Sequence, residues 1–455
     1  MSLSTRYRRL CSLLPTFCFV TACVTMPAQE DYLQQIQHEQ SQVTPWTQIN
    51  TATTQTALTD LIQSESLDQL LETAFANNPS LQQTLLTLQI RQAQLSQTDA
   101  ARLPQISAGF SAANEQDTTA SYSSNISINW QLDLWGKLKA DSQAASLDIE
   151  QQQLLYQSAR DTLASQVINA WLNLTATQHA IEIEQKRLST LTQNETFILQ
   201  RYRSGIGNLE DLDNARSAVS QSKASLENNR ESYRQQHRQF RQLLGQSELP
   251  SIIETPTYPE VQLSLADMPQ QTLARRPDLQ AAYIAIQAAS LRTEVAYKDL
   301  LPSLDLGAAL TDSASTPHES LLASPVWSLL GQLTAPLFQG GELRAATEIA
   351  ELNTAYSYQS YRETLLTAIN EIEQTLSLET TLDIQQQHIR QALKNSQNSL
   401  EQYQRSYRNG LVDILDLLAV QQQTYDLEAQ LDDLIYQQLS NRINLGLALG
   451  LGVTP

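Results

Sequence analysis

Along residues 125–134, up to Trp135, apolar and polar side chains alternate without a break. Ile126, Ile128, Trp130, Leu132 and Leu134 fall on one side, and Asn125, Ser127, Asn129, Gln131 and Asp133 on the other. A strand turns successive side chains to opposite faces, so a period of two predicts a strand with one apolar face. Ile106, Ala108, Phe110 and Ala112 form a second such face. Leu304, Leu306, Ala308 and Leu310 form a third, and Trp327, Leu329, Gly331, Leu333, Ala335 and Leu337 a fourth. The predicted strands lie at about 103–113, 123–135, 301–312 and 326–338. Between them the period changes. Leu138 to Tyr202 contains no proline or glycine, and at 1.5 Å per residue these 65 residues span roughly 97 Å as one helix. Val167, Leu174, Ile181 and Leu188 recur every seven residues, flanked by Ala170, Thr177, Glu184 and Leu191. That is a coiled-coil seam, imperfect at Glu184. The opposite faces are rich in Gln, Ser, Thr and Asn, as in the wall of a wet tube. A plain antiparallel coiled-coil scaffold has the same pattern.

The chain carries this arrangement twice. Asn78-Pro79-Ser80-Leu81 matches Arg276-Pro277-Asp278-Leu279 at an offset of 198, and Arg102-Leu103-Pro104 matches Leu300-Leu301-Pro302. From there the offset is 205. Leu138-Lys139-Ala140 matches Leu343-Arg344-Ala345, Tyr202-Arg203-Ser204-Gly205 matches Tyr407-Arg408-Asn409-Gly410, and Leu244-Gly245 matches Leu449-Gly450. A fixed offset over some 100 residues excludes insertions, as a packed helix pair requires. The first unit spans 67–246, with long helices at about 137–203 and 209–245. The second spans 270–452, with long helices at about 341–408 and 412–449. Residues 247–269, with Pro250, Pro256, Pro259 and Pro269, read as a linker.

A soluble half-buried hairpin alternates in the same way as a membrane strand. Two features favour the bilayer. The strands are about as long as the ~9–11 residues a tilted strand needs to cross. Tyr122, Trp135, Trp327 and Phe338 sit near strand ends, where an interfacial girdle places aromatics. The polar segments Asn114–Ser124 and Thr311–Ser324 read as extracellular loops. Open edges are not tolerated in lipid and four strands do not close, so the chain must oligomerise. A dimer gives eight strands and a filled interior. A trimer gives twelve and a lumen, with pseudo-sixfold symmetry from the two units.

The N-terminus changes the compartment. Arg6, Arg8 and Arg9 precede an apolar run, Leu10 to Val20, which is too short to span a bilayer. Val20-Thr21-Ala22-Cys23 resembles a bacterial lipobox, which implies a signal peptide at 1–22, a lipidated N-terminal segment at 23–66, and diacylglyceryl and N-acyl lipid on Cys23. The alternative is an ordinary cleavage site beside an incidental cysteine. Cys11, Cys18 and Cys23 are the only cysteines, so a mature chain keeps one. Val24 in place of an aspartate favours the outer membrane. Losing three arginines leaves 26 basic against 48 acidic residues, about −22, which argues against nucleic acid as a partner. It suits a duct favouring cations, although a solvated acidic surface has the same charge.

Nothing points to an enzyme. There is no phosphate loop, dinucleotide fingerprint or Gly-x-Ser-x-Gly elbow. His38, His179, His237, His318 and His388 lack metal-ligand spacing. No further cofactor is expected.

These residues together resemble the outer membrane factor family of efflux channels, the TolC, OprM and NodT type. The carrying motifs are the lipobox at Cys23, Asp133-Leu134-Trp135-Gly136-Lys137, Arg275-Arg276-Pro277-Asp278-Leu279 and the paired Tyr-Arg-x-Gly turns. The resemblance implies an α+β membrane protein: a trimeric 12-stranded transmembrane β-barrel, four strands per chain, continued by a long periplasmic α-helical coiled-coil barrel. It implies an outer-membrane channel of a tripartite efflux system for small toxic compounds, drugs or metal ions, with a periplasmic adaptor and an inner-membrane pump of the RND or ABC class. It further implies that the helix turns, at Gly205, Asn208, Gly410 and Leu411, contact the adaptor. Asp416 falls where such channels carry a constricting aspartate, whereas a second such position falls on Ala419; Asp413 is the candidate to replace that charge. Asp211, opening a stretch similar to the family's D-V-x-N-A-R, is the gate candidate of the first unit. For Asp416 the plainer reading is a helix-start acid favoured by the dipole. An outlet for type I protein secretion with an ABC exporter and a non-transporting scaffold lipoprotein are the competing functions.

Overall fold

The computed structural model describes residues 32–41, 57–62, 64–116, 119–248, 257–261 and 274–453. The elements are α1 (Tyr32–Ser41), α2 (Glu65–Asn77), α3 (Pro79–Ala100), β1 (Gln105–Ala113), β2 (Ser121–Leu132), α4 (Lys137–Arg203), α5 (Leu209–Leu243), α6 (Pro277–Lys298), β3 (Ser303–Ala314), β4 (Val326–Thr334), α7 (Glu342–Arg408) and α8 (Ile414–Ala448). Helices α4 and α7 are each 67 residues long, and α5 and α8 each 35. The chain forms two compact units: Gln97–Ala144 and Ala289–Ala355 with the N-terminal helix, and the remainder.

The first unit holds an antiparallel sheet in the order β1-β2-β3-β4. Its strands differ in extent from their alternation. β2 starts at Ser121, because Ser121 and Tyr122 still pair with Ala113 and Ala112. It stops at Leu132, because Asp133 turns to cap α4: its carboxylate accepts the amides of Leu138 at 3.1 Å and Lys139 at 2.9 Å. β4 ends at Thr334, short of the expected 338, with Pro336, which has no N–H for a ladder, two residues on. β3 runs on to Ala314, so the loops are shorter than the polar segments. The β3–β4 loop is tied down: Ser124 donates to the Ser320 carbonyl, and the Ser324 amide donates to Asp312 Oδ2 at 3.0 Å.

The second unit is helical. Its core gathers Leu67, Leu70 and Leu71 of α2, Val167, Ile168 and Trp171 of α4, and Phe240 of α5. Of the predicted seam, Val167, Leu174, Thr177, Ile181, Glu184 and Leu191 are buried, and Ala170 and Leu188 half-buried. Ser222 of α5 donates to Glu184 Oε1 at 2.6 Å and Arg187 stands 3.7 Å from Oε2, so the misplaced charge is met inside the seam. Hydrogen bonds tie α5 to α4 (Thr177 to Gln236, 2.6 Å), α4 to α8 (Asn194 to Gln421, 2.7 Å) and α8 to α7 (Gln386 to Gln438, 2.8 Å). Part of the expected linker is a strap. Tyr258 packs edge-on to His179 at 4.6 Å and donates to Asp432 Oδ2 at 2.9 Å, while Val261 is buried in the core.

Both Asn-Pro and Arg-Pro junctions clasp the end of a helix hairpin. Pro79 and Pro277 open α3 and α6 at the position that needs no amide. Asn78 Nδ2 donates to the Leu243 carbonyl at 2.9 Å. Arg276 Nη1 donates to the Ala448 carbonyl at 3.2 Å, and its Nε and Nη2 hold Asp278 at 3.1 and 2.7 Å. The following glycines must be glycines. A Cβ on Gly245, at φ +66°, would lie 2.2 Å from the Asn77 carbonyl oxygen.

Candidate functional site

Two surfaces carry the functional candidates, one in each unit. On the sheet, pairing places Ile106, Ile128, Ala308 and Leu329 in one row, and Ala108, Ile126, Leu310 and Trp327 in the next. The other face holds Gln105, Asn129, Gly307 and Leu330, then Ser107, Ser127, Ala309 and Ser328. Ser107 and Ser127 hydroxyls bond there at 2.8 Å. Gly109 faces Asn125, whose Oδ1 would stand 2.5 Å from any Cβ. The sheet is thus apolar on one side and mainly polar on the other, where Leu330 and Val326 of β4 are the large apolar exceptions.

That apolar side is bare. Ile106 is 72% exposed, Leu329 74% and Trp327 75%. β1 and β4 each have one strand neighbour, leaving two open edges. A face of this size and two free edges are what a soluble protein avoids. Aromatics stand at both ends of the strands. Toward the helices, Trp130 Nε1 donates to the Arg102 carbonyl at 3.0 Å and Trp135 Nε1 to the Pro302 carbonyl at 2.6 Å. Toward the loops lie Trp327 and the stacked rings of Phe110 and Tyr122, 6.4 Å apart. Among the described residues no helix is long and apolar enough to cross a membrane.

In the second unit the two long hairpins end in matching turns. Gly205 and Gly410 adopt φ +74° and +71°. Ile206 N donates to the Arg201 carbonyl at 3.0 Å, and Leu411 N to the Ser406 carbonyl at 2.9 Å, closing each helix end on a left-handed residue. Asn208 caps α5, accepting the Asp211 amide at 2.7 Å. Asp413 caps α8, accepting the Ile414 amide at 2.5 Å. Asp211 lies half-buried in the first turn of α5; Asp416 lies exposed in the first turn of α8, with Ala419 exposed one turn on. Beneath the turns Ile198, Leu212 and Ala215 of the first hairpin pack with Tyr407, Ile414 and Leu417 of the second. Burial pushes the Tyr407 hydroxyl up, as do Asp211 and Asp413; Arg201, over its ring at 5.5 Å, pulls it down. Ile206 and Leu411 remain about three-quarters exposed above this cluster.

Cys23 lies outside the described residues. Among the described residues no group of three His, Cys, Asp or Glu is placed to hold a metal ion. Sequence reasoning passed over Glu371, which accepts from Arg276 at 2.8 Å, and Asp161, which accepts the Val453 amide at 2.8 Å.

Comparison with known proteins gives a consistent answer. The family model described as outer membrane efflux protein matches residues 70–246 and 268–451. The chain is 28% identical over 411 residues to the pyoverdine export outer membrane protein OpmQ of Pseudomonas putida, covering 86% of each. It is 26% identical over 394 residues to the cation efflux system protein CusC of Escherichia coli K12, covering 84% of this chain and 86% of CusC. The open-state outer membrane channel MtrE of Neisseria gonorrhoeae superposes with a TM-score of 0.80 at 21% identity, over 90% of this chain and 96% of MtrE. The chain belongs to the outer membrane efflux protein family and is an outer-membrane channel component of an efflux system.

Proposed function

We propose that three copies close their sheets into a 12-stranded barrel in the outer membrane, and that their paired hairpins continue it as a helical duct through the periplasm. The observation that carries this reading is the bare apolar face between two open edges. Lipid covers such a face, and only neighbouring copies satisfy the edges. A scaffold lipoprotein in water has no use for either. Acyl chains on Cys23 add an anchor. The exposed turns at Gly205, Asn208, Gly410 and Leu411 receive a periplasmic adaptor, which joins the duct to an inner-membrane RND or ABC pump. Asp416, with the nearby Asp413 and Asp211, supplies charge at the closed end.

The cargo is a small toxic compound, a drug or metal ion. OpmQ is described by pyoverdine export and CusC by cation efflux, so relatives of one architecture serve unlike cargoes and the pump does the selecting. Purified protein in detergent tests the assembly. A trimer that runs at about three times the single-chain mass unheated and falls to the single-chain position on boiling, and that conducts ions in planar bilayers, is expected. A monomer that stays soluble without detergent overturns the reading. Mass spectrometry of the mature N-terminus tests the anchor, and an unmodified Cys23 overturns it.

A further inference from the structure

The polar face of the sheet carries one ionisable side chain. β1, β2 and β4 contain no Asp, Glu, Lys, Arg or His, and β3 contains only Asp305 and Asp312. The two aspartates stand on opposite faces, seven residues apart. Asp312 shares the apolar side, where the β3–β4 loop buries it and the Ser324 amide bonds it. Asp305 is exposed on the polar side, in the row Gln131–Asp305–Gln332. The Ser303 hydroxyl donates to its Oδ2 at 3.1 Å, and no basic residue of any strand faces it.

We propose that Asp305 is the charge filter of the barrel: three copies at one level give the lumen its only strand-borne ring of fixed charge and favour cationic over anionic solutes. This rests on the trimeric barrel reading. Geometry makes a single ring sufficient. Twelve strands ~4.8 Å apart and tilted ~40° close at a radius of about 12 Å. An inward aspartate brings its carboxylate closer still, so the axis lies within about one Debye length, ~8 Å at physiological salt. No opposite charge on the wall cancels it. The ring lies at the end of the sheet where the strands meet the helices, so cargo meets it on entering the barrel from the duct. It is separate from the acids at the hairpin turns.

The test reads the local field directly, so that the closed end of the duct does not mask it. Gln332→Cys places a thiol in the row of Asp305. Intact cells are treated from outside with membrane-impermeant cationic and anionic methanethiosulfonates of like size, and labelling is counted above that of the parent protein. The cationic-to-anionic rate ratio should fall about three- to tenfold when Asp305→Asn is added. Asp312→Asn on the opposite face should leave the ratio unchanged. Labelling with a ratio indifferent to Asp305→Asn, or moved equally by Asp312→Asn, overturns the filter and leaves the barrel standing. A folded Gln332→Cys protein that neither reagent reaches overturns the barrel reading itself.

Discussion

Arg276 hands one guanidinium N–H to the carbonyl of Ala448, 3.2 Å away and 172 residues later in the chain. The same guanidinium holds both oxygens of Asp278 and reaches Glu371 at 2.8 Å. Arg276→Met should cost about 2–3 kcal/mol, because it strands a buried carbonyl and a half-buried carboxylate. The Glu371 contact is half-exposed and adds little. Arg276→Lys should fall between, having no fork for Asp278. Asn78→Ala, which loses the neutral counterpart of this clasp, should cost about 1–2 kcal/mol. Thermal midpoints of the purified protein check the order.

Asp161 makes stability depend on pH in an unusual direction. It is 97% buried, as its 3% exposure shows, and accepts the Val453 amide at 2.8 Å and the Gln157 amide at 2.9 Å. Burial raises its pKa, against the lowering by those hydrogen bonds and Arg160. The folded state therefore binds this proton more tightly than the unfolded chain. Its contribution is present below the ordinary carboxylate range and is lost as pH rises through the raised value. Asp161→Asn, which keeps an acceptor for Val453, should raise the thermal midpoint at neutral pH relative to the parent. The difference should vanish in acid. A difference that persists equally at all pH values contradicts the linkage.

Much of this was legible in the chain because it rests on periodicity. The alternation from Asn125 to Leu132 survives as two faces, since most rows join like to like across the strands, Leu330 opposite Gly307 being an exception. The two 67-residue helices show as stretches without proline or glycine, and the turns that follow them as the positive-φ glycines 205 and 410. What escaped was pairing at a distance. Nothing local sets β2 beside β3, because their register depends on helices returning the chain between them. Asp161 is one of 48 acids and carries no local mark of its burial. Glu184 read as a flaw in a seam, because Ser222, its partner, lies on another helix. The strap at Tyr258 was hidden in a proline-rich stretch whose composition is that of a linker.

The two faces of β2 should respond oppositely to charge. Ile128 sits between Ile106 and Ala308 on the bare apolar face, and Asn129 between Gln105 and Gly307 on the polar one. Ile128→Arg should reduce heat-modifiable trimer, since a lipid-facing arginine near mid-bilayer costs ~2–4 kcal/mol. Asn129→Arg should assemble and instead lower cation preference. Equal trimer yields from both would contradict the register.

At the hairpin turns, Asp413 and Asp416 should separate by role. Asp413 is spent as a helix cap, so Asp413→Ala should cost about 1 kcal/mol of stability. Asp416 is exposed and bonded to nothing that its neighbours require, so Asp416→Ala should leave stability nearly unchanged. It should weaken divalent-cation block and shift bilayer selectivity toward anions. Asp213→Ala, beside Arg216 at 3.9 Å, should do less. Identical block in the parent and Asp416→Ala would leave Asp416 as a helix-start acid.

Ala57 pairs with Gly452 as an isolated parallel bridge, and the Leu58 amide donates to the Gly452 carbonyl at 2.9 Å. The chain's early and late residues are therefore stitched together, with Asp161 holding the neighbouring Val453. Such a seam closes only once the roughly 395 residues between its two halves are in place. Until then Leu58 and Leu61 have no lid, and the core of the helical unit stays ajar. A contact of this span forms late, since its loop-closure entropy must be met before it gives anything back. A polypeptide cut short of Gly452 therefore lacks the fastening that covers Leu58 and Leu61.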